Sequence, residues 1–184
     1  MIPTSSNSGV LPPFSGDNPA TSIRSPYRSD LPKFAQRFAT NQTRAEIFIG
    51  FLRLRKKLLL LGIRGLQWCN GSFVETKNMP GDIDVVTMYQ PLGSEEKDSI
   101  NPANYDVFDN SLAKQSYLTD AYYVAISTDY SFIKTVAYWH SLFSHRRETM
   151  EWKGFIELKL DGDGSEEESI IDSLKQTFQL QGGQ

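Results

Sequence analysis

The sequence predicts one α/β (α+β) domain, a small mixed β-sheet flanked by helices, and three observations carry that prediction. A strong helical periodicity early in the chain gives way to short β-biased runs and a second helical run, in the order helix, strand, strand, strand, helix, strand. At 184 residues the chain is long enough for one real core, and its polar ends leave too little for a second. Hydrophobic residues make up 39% and charged residues 22%, a globular balance remote from disordered or membrane composition.

Taken in order, residues 1–30 are rich in Ser, Pro, Gly and Asn and predict an irregular N-terminal arm or strap. The domain proper is expected over 31–160. Phe34 and Phe38, then Ile47, Phe48, Phe51, Leu52, Leu54, Leu58 and Leu59, recur at helical intervals, with Asn41 or Thr43 as N-cap and Gly62 as C-cap. Arg53, Arg55, Lys56 and Lys57 fall in the later turns, where cations suit the dipole, and read as a solvated face, with a phosphate contact as the rival reading. The run Leu66-Gln67-Trp68-Cys69 predicts a strand that ends at Asn70-Gly71-Ser72, and residues 83–88 predict another. Residues 91–111 are polar and turn-rich, so loop with one helical turn is expected there. A third strand is expected at 122–126, a helix at 132–143 with Phe132, Val136, Trp139 and Phe143 on one face, and a fourth strand at 155–160. Residues 161–184 read as an acidic C-terminal tail whose amphipathic stretch, 170–180, is able to dock. No internal repeat is present.

Composition also narrows the function classes. A formal charge of −3 supplies no global field for a polyanion, so such a contact would need a local basic patch. The single Cys69 forms no intramolecular disulfide and anchors no multi-cysteine zinc site. Met1 to Gly16 lacks the basic and apolar regions of a secretory signal, and the longest apolar run, Leu58 to Leu61, falls far short of the roughly 20 residues of a membrane span. Cytoplasmic residence without membrane contact is the expectation.

The chemistry centres on Gly71-Ser72 and Asp82-Ile83-Asp84. In a strand, side chains alternate faces, so Asp82 and Asp84 share one side while Ile83 faces the core. Two carboxylates that close repel unless a cation lies between them, and Mg²⁺ suits a site with few protein ligands that phosphates and water complete. Gly71 permits close backbone approach, and Ser72 with the adjacent amides suits phosphate oxygens. The plainer readings are a solvated strand end for the aspartates and an ordinary Asn-Gly turn for Asn70-Gly71. Lys77, in the intervening loop, is a candidate for triphosphate contact.

A glycine-serine pair, a nine-residue spacer from Phe73 to Gly81 and an aspartate-hydrophobic-aspartate strand resemble the signature of the nucleotidyltransferase superfamily, the DNA polymerase beta-like fold. The text GLQWCNGSFVETKNMPGDIDVV, with the earlier RSPY and R..IF.GFL.LRKKL stretches, is similar to a small bacterial group of nucleotidyltransferase-like proteins without settled function. The match is strongest over residues 66–88. The resemblance implies a metal-dependent transferase: Mg²⁺ or Mn²⁺ held by Asp82 and Asp84, a nucleoside triphosphate at Gly71, Ser72 and Lys77, and a nucleoside monophosphate passed to a protein, RNA or nucleotide acceptor. It also implies a third carboxylate from a neighbouring strand, to deprotonate the acceptor or hold a second metal, for which Asp120 is the candidate and Asp106, Asp109, Asp129 and Glu157 are rivals. Small members of the superfamily resemble toxin-antitoxin and antiviral-defence proteins, which implies a cognate protein partner. The alternative is a catalytically weak module of the same fold that binds nucleotide or a partner. Asn70 stands where the superfamily commonly has an apolar residue, and Gly81 where it often has serine.

Other features read more simply. His140 and His145 are five apart, not the four that places two zinc ligands on one helical face. His145-Arg146-Arg147 reads as a polar helix end, with contact to an acceptor as the rival. Trp68, Trp139 and Trp152 read as core or rim packing. Asp161 to Glu166 lacks the sixth-position glycine of a calcium loop and reads as a solvated acidic turn.

Overall fold

The computed structural model describes residues 1–93 and 102–180. Within them a five-stranded mixed sheet runs in the order β1-β5-β2-β3-β4, with five helices packed around it. The strands are β1 (Tyr27–Ser29), β2 (Gly65–Asn70), β3 (Ile83–Tyr89), β4 (Thr119–Ala125) and β5 (Ile156–Leu160). The helices are α1 (Leu31–Phe38), α2 (Gln42–Leu60), α3 (Asn110–Tyr117), α4 (Tyr130–Phe143) and α5 (Ser165–Phe178). β2 is antiparallel to both β3 and β5, whereas the outer pairs β1/β5 and β3/β4 are parallel. The expected α/β (α+β) class is observed. Of the loop expected over 91–111, residues 94–101 lie outside the described residues; Pro102–Phe108 is a 3₁₀ helix and α3 follows it.

The long helix α2 starts where Asn41 accepts a hydrogen bond from the Arg44 amide at 2.9 Å. It ends at Gly62, whose φ of 80° lets the Gly62 and Ile63 amides turn back to the Leu59 and Leu58 carbonyls. It is buried on several sides because sheet, α3 and α5 all pack on it. Phe34, Phe38, Phe48, Phe51 and Phe73 form one aromatic cluster beneath it, with Phe48 and Phe73 stacked at 6.0 Å between centroids. Phe73 thereby anchors the turn after β2 into the core. Among the described residues the opposite sheet face is covered by α4, through Val136, Trp139 and Phe143 against Trp68, Val86, Tyr122 and Phe155.

Within the basic cluster of α2, Arg53 is exposed as expected, but the structure corrects the solvated reading for Arg55. Arg55 is 2% exposed, gives Glu167 of α5 a 3.0 Å hydrogen bond, and also donates to Gln67 Oε1 and the Lys159 carbonyl. Lys56 pairs with Glu168 and Lys57 with Asp106. Arg55 and Lys56 help to dock α5, in a segment the sequence left as a tail with a stretch able to dock. Residues 1–30 form a strap: Val10 and Leu11 are buried, the Gly9 carbonyl accepts from the Thr76 amide, and Tyr27–Ser29 completes the sheet edge. Among the described residues no helix is long and apolar enough to cross a membrane.

Candidate functional site

The register of the sheet lines up three polar residues. Asn70 of β2 faces Asp84 of β3, and Asp84 faces Asp120 of β4. Residues opposite one another in adjacent strands share a face, so these three side chains form a row across one end of the sheet. Asp82, just ahead of β3, joins the row two residues away. Gly71 follows β2 with a φ of 78° and opens the short 3₁₀ helix Ser72–Val74. A Cβ built on Gly71 would overlap the Asp84 carboxylate, so only glycine lets the turn and that carboxylate lie together.

Around the row lies a cavity of about 680 Å³, lined by Asn70, Gly71, Ser72, Lys77, Asp82, Asp84, Lys114 and Asp120 and, on its far wall, by His145, Arg146, Arg147 and Lys153. All six residues singled out from the sequence, Gly71, Ser72, Lys77, Asp82, Asp84 and Asp120, line this one space. The rival carboxylates are engaged elsewhere. Asp109 and Asp129 cap α3 and α4, Asp106 holds Lys57 and Tyr117, and Glu157 holds Arg28 and the Trp68 indole.

Burial raises the pKa of Asp84, and the neighbouring charges of Asp82 and Asp120 raise it further, while Arg147 and Lys153 act in the opposite direction. A half-buried carboxylate next to two others gains from any cation brought to it. One cation is already near: Lys114 Nζ lies 2.5 Å from Asp82 Oδ2 and 3.8 Å from Asp120 Oδ2. Asn110, one turn earlier in α3, donates to Asp120 Oδ1 at 2.5 Å and to the Ala121 carbonyl at 3.1 Å. Among the described residues no group of three or more His, Cys, Asp and Glu side chains is arranged to hold a metal ion. Asp82 and Asp84 nevertheless fit a hard divalent cation, which needs only one or two carboxylates once phosphates and water complete its shell. Asp120 is drawn aside by Asn110.

The sequence reading missed four features of the site. Lys114 and Asn110 lie on a helix that was not expected and that begins inside the loop expected over 91–111, because α3 buries only Ala113 and shows almost no apolar face. Asn70 is 5% exposed; its Nδ2 donates to the Phe143 carbonyl at 3.3 Å, and among the described residues its Oδ1 has no partner. The far wall is a tight loop, closed by the His145↔Trp152 bridge and by the Lys153 amide on the Ser144 carbonyl. Glu75 ties that loop down by accepting from Arg146 and Lys153, each at 2.9 Å, and Arg146 also reaches the Ser8 carbonyl of the strap. His145-Arg146-Arg147 is thus a cavity wall beyond the end of α4, and Trp152, 62% exposed, packs on His145 at the rim.

A family model described as a family of unknown function, DUF6932, matches residues 3–159, and the chain belongs to that family. No curated protein and no solved structure matches it.

Proposed function

We propose that this DUF6932 member is a metal-dependent nucleotidyltransferase that passes a nucleoside monophosphate from a nucleoside triphosphate to a hydroxyl on a protein, RNA or nucleotide acceptor. One observation supports it above the rest: Asp84 and Asp120 in register, Asp82 beside them and a glycine that no other residue can replace, all facing one cavity of about 680 Å³. The space is of the size small-molecule sites commonly have.

In this reading Asp82 and Asp84 hold Mg²⁺ or Mn²⁺, which when bound neutralises the charge that develops on the phosphates. Ser72 and the amides of its turn hold phosphate oxygens, and Lys77 and Arg147 supply positive charge from opposite sides. The acceptor oxygen forms a bond to the α-phosphorus as the bond from that phosphorus to the bridging oxygen breaks. Pyrophosphate leaves, and Asp120 takes the hydroxyl proton. The carboxylates serve as ligands or base in their charged form, and a bound cation would counter the upward pull on the Asp84 pKa.

A second reading, a module that binds nucleotide or a partner without transfer, draws on the Lys114 ammonium already seated on Asp82. Transfer from α-phosphate-labelled ATP, GTP, CTP and UTP with Mg²⁺ or Mn²⁺, offered to total RNA and to cell lysate, separates the two. Label on an acceptor with wild type but not with Asp82→Ala plus Asp84→Ala is expected. Metal-dependent nucleotide binding with no label would favour the second reading, and label of equal strength from the double variant would sink the first.

A further inference from the structure

We infer that Lys114 is a built-in counter-ion, which stands in for the divalent cation while the site is free and must leave Asp82 before that carboxylate can act as a ligand. The inference rests on the metal-site reading above and concerns how that site is loaded.

Three observations carry it. First, Lys114 Nζ lies between two carboxylates that come from different segments, at 2.5 Å from Asp82 and 3.8 Å from Asp120. The ammonium stands where a bridging cation would be of use to both. Second, the contact is easily exchanged: the Lys114 side chain is 52% exposed, the Asp82 side chain 22%, and a solvent-screened pair of this kind contributes only about 0–1 kcal/mol. Third, Asn70 lines the same cavity, and its Oδ1 is buried and without a partner among the described residues. An orphaned acceptor of this kind costs about 1–3 kcal/mol, so the cavity is arranged for a donor or cation that the free chain lacks.

The placing of α3 follows from the same logic. Asn110 and Lys114 are four residues apart and so share one helical face, and both reach the carboxylate row. The Gly50 position of α2 has no side chain because the Tyr117 carbonyl at the end of α3 occupies that space, and this close seating brings Lys114 within reach. When Lys114 releases Asp82, its flexible stem leaves the ammonium beside the phosphate end of the cavity, where a triphosphate would receive it. Release of the carboxylate and capture of the nucleotide are then one event, and cation and nucleotide bind each more tightly in the presence of the other.

Titration with Mn²⁺, followed by electron paramagnetic resonance of the free ion in the absence of nucleotide, tests this without any turnover. Lys114→Met and Lys114→Gln are expected to bind Mn²⁺ at least about threefold more tightly than wild type, and Lys114→Arg no more tightly than wild type. A merely structural lysine would have the opposite effect, since loosening α3 would weaken the site. Equal or weaker binding by both neutral variants overturns the inference, as does Mn²⁺ binding that survives Asp82→Ala plus Asp84→Ala. With a non-hydrolysable ATP analogue added, the gain in Mn²⁺ affinity should be larger in wild type than in Lys114→Met; an equal gain removes the capture step. Tightening in Lys114→Met without label transfer in the earlier assay would leave this inference standing and remove the transferase reading alone.

Discussion

Gly71 is the residue at which sequence and geometry constrain one another most closely. Its positive φ already disfavours a side chain, and the Asp84 carboxylate fills the place a methyl group would take. Gly71→Ala therefore has no relaxed conformation open to it: the turn must move, or Asp84 must swing out of the row. The expected cost is about 1–3 kcal/mol of stability, read by thermal denaturation, together with loss of the Mn²⁺ affinity that Asp84 supports. A stable Gly71→Ala protein with wild-type Mn²⁺ affinity would show that Asp84 is not a ligand. Asn70 adds a second lesson at this scale. This residue lines the cavity, yet its side-chain acceptor is buried with no partner among the described residues.

The elements differ in how they are held, and α5 is the sharpest case. Ile171 and Leu174 give it an apolar face, but its position on α2 is fixed by Arg55 and Glu167, both 2% exposed, in a bidentate-like contact at 2.9 and 3.0 Å. Removing one partner leaves the other charge buried, which costs about 3–5 kcal/mol, whereas replacing both by apolar residues of similar size costs much less. Glu167→Ala should thus lower the denaturation midpoint far more than the pair Arg55→Met with Glu167→Leu, and comparable losses would refute this account. Much of this architecture was legible in sequence: α2, β2, β3, α4 and β5 carry their periodicity openly. The elements that escaped did so for physical reasons. β1 is three residues long and exists through its pairing with β5, α3 is a polar surface helix, and of α5 only the amphipathic stretch 170–180 was legible, its first turns being acidic and held by charge. At the site, spacing alone pointed to Gly71, Ser72, Asp82 and Asp84. Asp120 was one candidate among rivals until the β3/β4 register set it opposite Asp84, and Lys114 and Asn110 needed α3.

Across the whole molecule, Glu75 ties together three segments far apart in the chain: the turn after β2, the loop 144–153 and, through Arg146, the strap at Ser8. Burial alone would raise its pKa, but hydrogen bonds and charge from Lys153 and Arg146 hold it below the ordinary glutamate value. A depressed native pKa means the unfolded chain binds the proton more readily. The contribution is therefore full above the unfolded value, near 4.3, and is lost as pH falls through the lower native value. Glu75→Gln should destabilise the protein by about 3 kcal/mol at pH 7, and its gap to wild type should close below about pH 4. A gap independent of pH, measured by urea denaturation between pH 3 and pH 7, would mean that the Glu75 charge is not what binds the three segments.

The edge strand β1 has a consequence for the order in which the protein is made. Its Arg28 meets Glu157 of β5, 129 residues further along, and Tyr27 takes its place in the sheet only beside Ile156. At a synthesis rate of roughly 5–20 residues per second, the strap waits on the order of 6–26 seconds on the ribosome before its partner strand emerges. During that interval Leu11, whose carbonyl accepts from the Gly154 amide just ahead of β5, lacks that partner. The cavity wall that the strap braces is among the last parts of the nascent chain to be set.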